Sequence, residues 1–161
     1  MSGLILITGA SGMLGTSLID ILSDKHENIA LSRKVGHQAD NTQWDSCDIS
    51  NLDVLSEKLI AYKPDVVIHC AAIVNIDQCE VDYEGAYQLH VKSTDVISEM
   101  LNEWGGHLVY ISTDCIFNGE KEGCYTEDDK TNPLNNYAKT KLHGESSASK
   151  CDRYTIIRTN I

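Results

Sequence analysis

With 161 residues the chain suits one domain that buries about 70% of its unfolded surface, and a single phenylalanine, Phe117, makes that core mostly aliphatic. The formal net charge of −11 argues against the basic patch that nucleic-acid binding needs and against contact with anionic membranes. No apolar run approaches the ~20 residues of a membrane span, and the six cysteines, with no C-x-x-C pair and no completing histidine spacing, predict reduced thiols, no metal and a cytoplasmic setting.

Leu4-Ile5-Leu6-Ile7 is an apolar run that breaks into Thr8-Gly9-Ala10-Ser11-Gly12-Met13-Leu14-Gly15 and then into a helical pattern. That predicts a strand, a phosphate-binding turn and a helix. Gly9 would supply a positive φ, Gly12 would let a pyrophosphate reach the backbone, and Gly15 would let the helix lie close to the strand. A dinucleotide would then rest on the free N–H groups of the helix start, which makes Gly9, Ser11, Gly12, Met13, Leu14 and Gly15 cofactor-binding candidates. Leu14, Leu18, Ile21 and Leu22 carry the helix to near Asp24.

Asn28 to Ser32 reads as the second strand. NAD-specific domains end it with an acid for the ribose 2′-OH, whereas Ser32-Arg33-Lys34 offers a hydroxyl and two cations. These suit a 2′-phosphate, so NADPH is the expected cofactor, with NADH as the alternative and a solvated basic loop as the plainer reading.

Residues 35 to 43 read as a loop and Trp44 to Asp48 as a third strand. Ser50-x-x-Asp53 reads as a capping box opening a helix that stops before Pro64. Asp65 to Ala72 is apolar enough for a strand buried on both faces. Small Ala71 and Ala72 at its end would admit a cofactor ribose, or simply pack tightly. One long helix is expected from about Asp77 to Glu103, with His90 on its buried stripe as a hydrogen-bonded core histidine or a neighbour of the site.

Gly105-Gly106 ends that helix, and His107 to Ser112 reads as a strand leading into Thr113-Asp114 and a polar loop through Asn132. Such a loop, at the carboxyl edge of a parallel sheet, is where α/β domains place substrate contacts. Pro133 is expected to start a helix carrying Tyr137 and Lys141, and Tyr154 to Arg158 is the last strand. The alternation predicts an α/β doubly wound parallel sheet of order 3-2-1-4-5-6, helices on both faces, and a ligand at the switch point between strands 1 and 4.

Tyr137 and Lys141 are four apart, hence on one helix face. A nearby ammonium favours phenolate and would draw the tyrosine down from its ordinary value near 10, making it a usable proton donor. Thr113 would aim its hydroxyl at the same carbonyl oxygen. A nicotinamide would supply hydride, Tyr137 would protonate the alkoxide, Thr113 would hold it, and Lys141 would hold the phenolate and a cofactor ribose.

These features resemble the N-terminal half of an extended short-chain dehydrogenase/reductase, and most closely the dTDP-4-dehydrorhamnose reductases. The turn fits T-G-x-x-G-x-x-G, and the specific signals are Ser112-Thr113-Asp114-Cys115-Ile116-Phe117-Asn118-Gly119 and Asn132-Pro133-Leu134-Asn135-Asn136-Tyr137 through Lys141-Leu142-His143-Gly144-Glu145. The resemblance implies a Rossmann-like NAD(P)-binding domain over 1–161, catalytic Thr113, Tyr137 and Lys141, adenine contacts at Asp48 and Ile49, and Asp114 at the substrate. It also implies NAD(P)H reduction of the 4-keto group of a nucleotide-linked 6-deoxy sugar in cell-surface polysaccharide synthesis, with a homodimer as one expected assembly. His90 stands where relatives often carry Asn, Asn118 where Asp is frequent, and Cys115 where an aromatic is usual. Relatives continue into a lobe that grips the sugar nucleotide, so the expectation is a truncated piece that binds dinucleotide and turns over little substrate.

Two other readings stay open. A nucleotide-sugar epimerase or dehydratase would carry a further acid/base pair, where Asp114-Cys115 gives one carboxylate. A cofactor-binding regulatory subunit resembling the methionine adenosyltransferase β subunit would not need Thr113, Tyr137 and Lys141 intact.

Overall fold

The computed structural model describes residues 3–37 and 39–160. Its strands are β1 (Ile5–Thr8), β2 (Asn28–Ser32), β3 (Thr42–Ser46), β4 (Val66–His69), β5 (His107–Thr113) and β6 (Tyr154–Thr159). Its α-helices are α1 (Met13–Leu22), α2 (Leu52–Tyr62), α3 (Ile76–Val81), α4 (Tyr83–Tyr87), α5 (Ser93–Trp104) and α6 (Asn136–Ala148). Every strand pairing is parallel, and the order is β3-β2-β1-β4-β5-β6.

Side chains alternate along a strand, so Leu6 of β1 faces one side and Ile5 and Ile7 the other. Leu6 joins Leu31, Val67, Leu108 and Tyr110 against Leu55 and Leu59 of α2, Ile97 and Leu101 of α5, and Ala148 of α6. Ile5, Ile7 and Ala30 close instead on Ile19 of α1. Each fully buried aliphatic side chain contributes roughly 1.5–3 kcal/mol, which is why this stretch reads as a continuous apolar run. The two helix layers follow from handedness: the right-handed crossovers β1-α1-β2 and β3-α2-β4 run in opposite directions along the sheet and so must lie on opposite faces. Their divergence opens a crevice between the carboxyl ends of β1 and β4.

Several boundaries differ from the sequence reading. The stretch from Asp77 to Glu103 is not one helix but α3, α4, a π-helical turn over Gln88–Lys92, and α5. Asp82 breaks the first join, leaving helical geometry (φ −125°, ψ 73°) and accepting the Gly85 N–H at 2.9 Å as the cap of α4. The cap of α2 is Asn51, whose side chain accepts from Val54 N–H at 3.3 Å, while Ser50 donates its hydroxyl and amide to Asp48 at 2.7 and 3.0 Å. Helix α6 starts at Asn136 rather than Pro133, because the Asn135 side chain accepts the Ala138 N–H at 2.8 Å, a service proline cannot give. The third strand lies over 42–46, two residues earlier than expected. Strand β4 stops at His69: the Cys70 amide still reaches the Thr8 carbonyl at 3.3 Å, but beyond it the amides turn away, Ala71 donating to the Thr8 hydroxyl at 3.4 Å and Ile73 to His90 Nε2 at 2.9 Å.

Candidate active site

The glycine turn is pressed from two sides. Gly9 has φ +64°, and a Cβ there would stand 2.7 Å from the Ala71 backbone, while one on Gly15 would stand 2.5 Å from the Gly9 carbonyl. Ala71 thus lies directly beside the turn, and Ala72, half-buried like it, follows in the chain. Ser11, Gly12 and Met13 are exposed, Leu14 is half-buried, and α1 begins with no side-chain cap. An uncapped helix start at the mouth of a crevice is a cradle for an anion.

Ser32, Arg33, Asp48 and Ile49 gather at the ends of β2 and β3, on the far side of β1 from β4. Ser32 donates its hydroxyl to the Lys34 carbonyl and accepts the Lys34 amide at 3.1 Å. That tight turn leaves Arg33 and Lys34 exposed, and among the described residues neither joins an ion pair. Asp48 is held below the ordinary carboxylate value chiefly by the Ser50 hydroxyl and amide, with the Arg33 charge a smaller influence. Ile49 is buried in the core cluster with Leu31 and Leu55.

Thr113 ends β5 and its hydroxyl accepts the Cys115 N–H at 3.1 Å, capping the short 3-10 turn Asp114–Ile116. Asp114 is exposed on that turn. Across from it, the Tyr137 phenol is pushed above its ordinary value by burial, and the Thr113 hydroxyl beside it pulls the other way. Thr113 and Tyr137 are therefore neighbours, while the Thr113 hydroxyl itself donates to Asp114 Oδ1 at 3.4 Å and no Thr113–Tyr137 hydrogen bond forms among the described residues. The structure does not bring the Lys141 ammonium onto the phenol: Lys141, 2% exposed, donates to the Ile111 carbonyl at 2.6 Å and lies 4.2 Å over the Tyr110 ring. The expectation that Lys141 lowers the tyrosine is corrected here. Burial instead acts on Lys141 itself, bringing its ammonium down to about 7, with the Glu145 carboxylate pulling the other way.

His90 is fully buried and hydrogen-bonded on both nitrogens. Nε2 accepts from Ile73 N–H, so Nδ1 carries the proton and donates to Thr140 Oγ1 at 2.8 Å. Its imidazole joins the loop that holds Ala71 and Ala72 to the helix that holds Tyr137, and its ring meets the Tyr137 ring edge-on at 5.9 Å. Burial, then the Lys141 charge, lowers it to about 3, so it is neutral in the ordinary pH range.

A second buried histidine escaped the sequence reading. His69 Nδ1 pairs with the Thr8 hydroxyl at 2.7 Å and Nε2 with Ser93 Oγ at 3.4 Å, and Ser93 in turn donates to the Leu89 carbonyl inside the π turn. A lone His within Val66-Val67-Ile68-His69-Cys70 was the available signal, because a polar group at a strand's inward position needs partners. Also missed was the buried carboxylate of Glu145, one turn past Lys141, which binds Ser112 and Arg158.

A family model described as the RmlD substrate binding domain matches residues 3–161. The chain belongs to that family. A dTDP-4-dehydrorhamnose reductase of Aggregatibacter actinomycetemcomitans is 34% identical over 143 residues, 88% of this chain and 45% of that protein. Among solved structures, the hypothetical dTDP-4-dehydrorhamnose reductase of Sulfolobus tokodaii superposes with a TM-score of 0.86 at 37% identity, over 98% of this chain and 55% of that one. The Bacillus anthracis dTDP-4-dehydrorhamnose reductase, solved in complex with NADP, gives a TM-score of 0.79 at 27% identity over 98% of this chain and 53% of that one. This RmlD-family chain spans about half the length of the curated relatives it matches.

Proposed function

We propose that the chain is the cofactor-binding part of an NAD(P)H-dependent reductase of the short-chain dehydrogenase/reductase type, acting on the 4-keto group of a nucleotide-linked deoxy sugar. The observation that carries this reading is that Thr113, at the carboxyl end of β5, and Tyr137 of α6 are neighbours on the carboxyl edge of the sheet, the edge at which α1 begins with no side-chain cap. Relatives named dTDP-4-dehydrorhamnose reductase supply the substrate class. On this reading residues 1–161 form the nucleotide domain, the sugar-nucleotide lobe of the relatives lies outside it, and the enzyme works in the cytoplasm as a homodimer.

The residues present fit a dinucleotide. The turn Gly9, Ser11, Gly12, Met13, Leu14 and Gly15 offers free amides to a pyrophosphate. Asp48 and Ile49 suit an adenosine, Ala71 and Ala72 leave room for a ribose, and the exposed Arg33 suits a 2′-phosphate, which favours NADPH, with Ser32 able to join only by giving up its bond to the Lys34 carbonyl. When bound, the reduced nicotinamide supplies a hydride. Tyr137 donates its proton to the forming alkoxide, and a phenol kept protonated by burial is the form that step requires. Thr113 donates a hydrogen bond to the same oxygen, Asp114 lies exposed where a sugar hydroxyl would sit, and Lys141 would hold a cofactor ribose by exchanging the Ile111 carbonyl for its hydroxyls.

The test is NADPH oxidation on adding a dTDP-4-keto-6-deoxyhexose, run on this chain and on a form extended by the relatives' second lobe. Oxidation by the extended form that disappears in Tyr137→Phe, with NADPH binding kept, is expected. No oxidation by either form despite tight NADPH binding would sink the reductase reading. Arg33→Asp should weaken NADPH by about tenfold or more, the worth of one charge-assisted contact, and leave NADH nearly unchanged. Equal affinity of the parent for both cofactors would count against the 2′-phosphate assignment.

A further inference from the structure

The proton-transfer scheme leaves one buried ion pair unused. Glu145 is 5% exposed, and its Oε1 accepts the Ser112 hydroxyl at 2.5 Å. Arg158 closes on the same carboxylate with two donors, Nε to Oε1 at 3.0 Å and Nη2 to Oε2 at 2.8 Å. A bidentate fork fixes orientation as well as charge. The guanidinium then reaches outward: Nη1 donates to the Glu127 carbonyl at 3.1 Å, and its carbon sits 5.5 Å over the Phe117 ring. Phe117 stacks on Tyr125 at 4.3 Å with the planes 11° apart, and the Tyr125 hydroxyl donates to Asn118 Oδ1 at 2.9 Å.

One arginine therefore touches α6, the tip of β5 through Ser112's partner, and both limbs of the loop over residues 117–135. Sheet and helix do not need it. Strands β5 and β6 are already paired from Leu108↔Tyr154 to Thr113↔Thr159, and Ala148 already packs α6 into the core. The loop does need it, since it contains no helix or strand. Its described hydrogen bonds to the body otherwise lie near its ends: Phe117 N–H on the Asp114 carbonyl at 3.0 Å, the Asn132 amide on the Ile116 carbonyl at 2.8 Å, and Asn135 accepting from the Ala138 and Lys139 amides at 2.8 and 3.0 Å, which leaves Arg158 on the Glu127 carbonyl to hold its middle among the described residues. Its remaining contacts are internal, such as Lys121 with Asp129 at 2.5 Å.

We propose that Glu145 and Arg158 are positioning residues: the pair clamps the 117–135 loop and the β5 tip onto α6 and so sets where Thr113 and Asp114 stand against Tyr137. The inference rests on the reading of Thr113, Asp114 and Tyr137 as the reacting end of the crevice. Ser112 is the direct link, because the residue that binds Glu145 is the one bonded to Thr113. The Phe117–Tyr125 stack carries the same restraint to Asn118 at the loop's outer turn.

The experiment compares the parent chain with Arg158→Met and with Glu145→Gln/Arg158→Met, which removes both charges together and avoids an unpaired buried carboxylate. Three quantities are read without substrate: amide hydrogen exchange, titration of the Tyr137 phenol by 13Cζ labelling, and NADPH affinity. Both variants are expected to exchange the 117–135 amides at least about tenfold faster than the parent, with β1 and α2 amides unchanged. The Tyr137 titration should move upward as the Thr113 hydroxyl loses its place, a signature that a purely stabilising ion pair would not produce. NADPH affinity should stay within about threefold, because the glycine turn lies on other elements. A folded double variant with the parent's loop exchange and the parent's Tyr137 titration overturns the proposal. A parent chain that fails to bind NADPH overturns the functional reading alone, since the other two measurements need no cofactor.

Discussion

Lys141 shows how much a single side chain's setting decides. It sits in the core with the Ile111 carbonyl and the Tyr110 ring face as partners, and burial alone brings its ammonium down to about 7. Replacing such a cation by an apolar side chain of similar length removes a desolvation penalty along with a hydrogen bond. Lys141→Met should therefore hold folding stability within about 1 kcal/mol of the parent, by urea titration at pH 7. The same change should weaken NADPH by about tenfold, because the cation proposed to turn from the Ile111 carbonyl to the ribose is gone. A large stability loss with unchanged affinity would make Lys141 a structural cation only. The i, i+4 spacing announced that Tyr137 and Lys141 share a face, but a face is not an aim. The Ile111 carbonyl that captures Lys141 comes from a strand thirty residues earlier, and nothing local in the sequence marks it. Asn118 is a similar case: its Nδ2 donates to Glu120 Oε2 at 2.6 Å and its Oδ1 accepts from Tyr125, where an aspartate would set two carboxylates together.

The inner strands were legible because a parallel sheet covered on both faces demands apolar runs, and Leu4 to Ile7 and Val66 to Ile68 are such runs. The segment after β4 was not. Tyr83, Tyr87, His90, Thr94, Ile97 and Leu101 fit an α-helical stripe, yet the backbone widens into a π turn over Gln88–Lys92. What selects the wider turn is tertiary: His90 must reach both the Ile73 amide and Thr140, and a π turn is the usual device for such a detour. Gly144 of α6 faces this turn. A Cβ there would collide with the Tyr110 hydroxyl and stand 2.6 Å from the His90 carbonyl, neither of which is the free end of a flexible chain. Gly144→Ala should cost about 1–3 kcal/mol of unfolding free energy by overpacking, against the slight gain that alanine brings to an open helix site. An unchanged or raised urea midpoint would show that α6 can move away from β5 without penalty.

At the scale of the whole molecule, acid sensitivity is built into the layer between sheet and helices. His69 and His90 are both buried, both hydrogen-bonded at each nitrogen, and both lowered from 6.5 to about 3, first by burial and then by the Lys141 charge. The unfolded chain binds protons on both rings below pH 6.5 and the folded chain does not, so unfolding is favoured as pH falls through that window. Each ring contributes a slope approaching 1.4 kcal/mol per pH unit between about 6 and 3. Lys141 adds the same sign at higher pH: lowered to about 7 from 10.5, it is more protonated in the unfolded chain across that interval, so stability rises there too. The net charge of −11 works against both, because raising the pH increases self-repulsion. Surface repulsion is screened within about 8 Å at physiological salt, whereas buried rings are not, so the buried groups should win. Urea unfolding at 0.15 M salt should give a larger free energy at pH 7.5 than at pH 5, and His69→Gln/His90→Asn should flatten the difference by several kcal/mol. A parent whose stability is level or higher at pH 5 would mean that charge repulsion outweighs the two histidines.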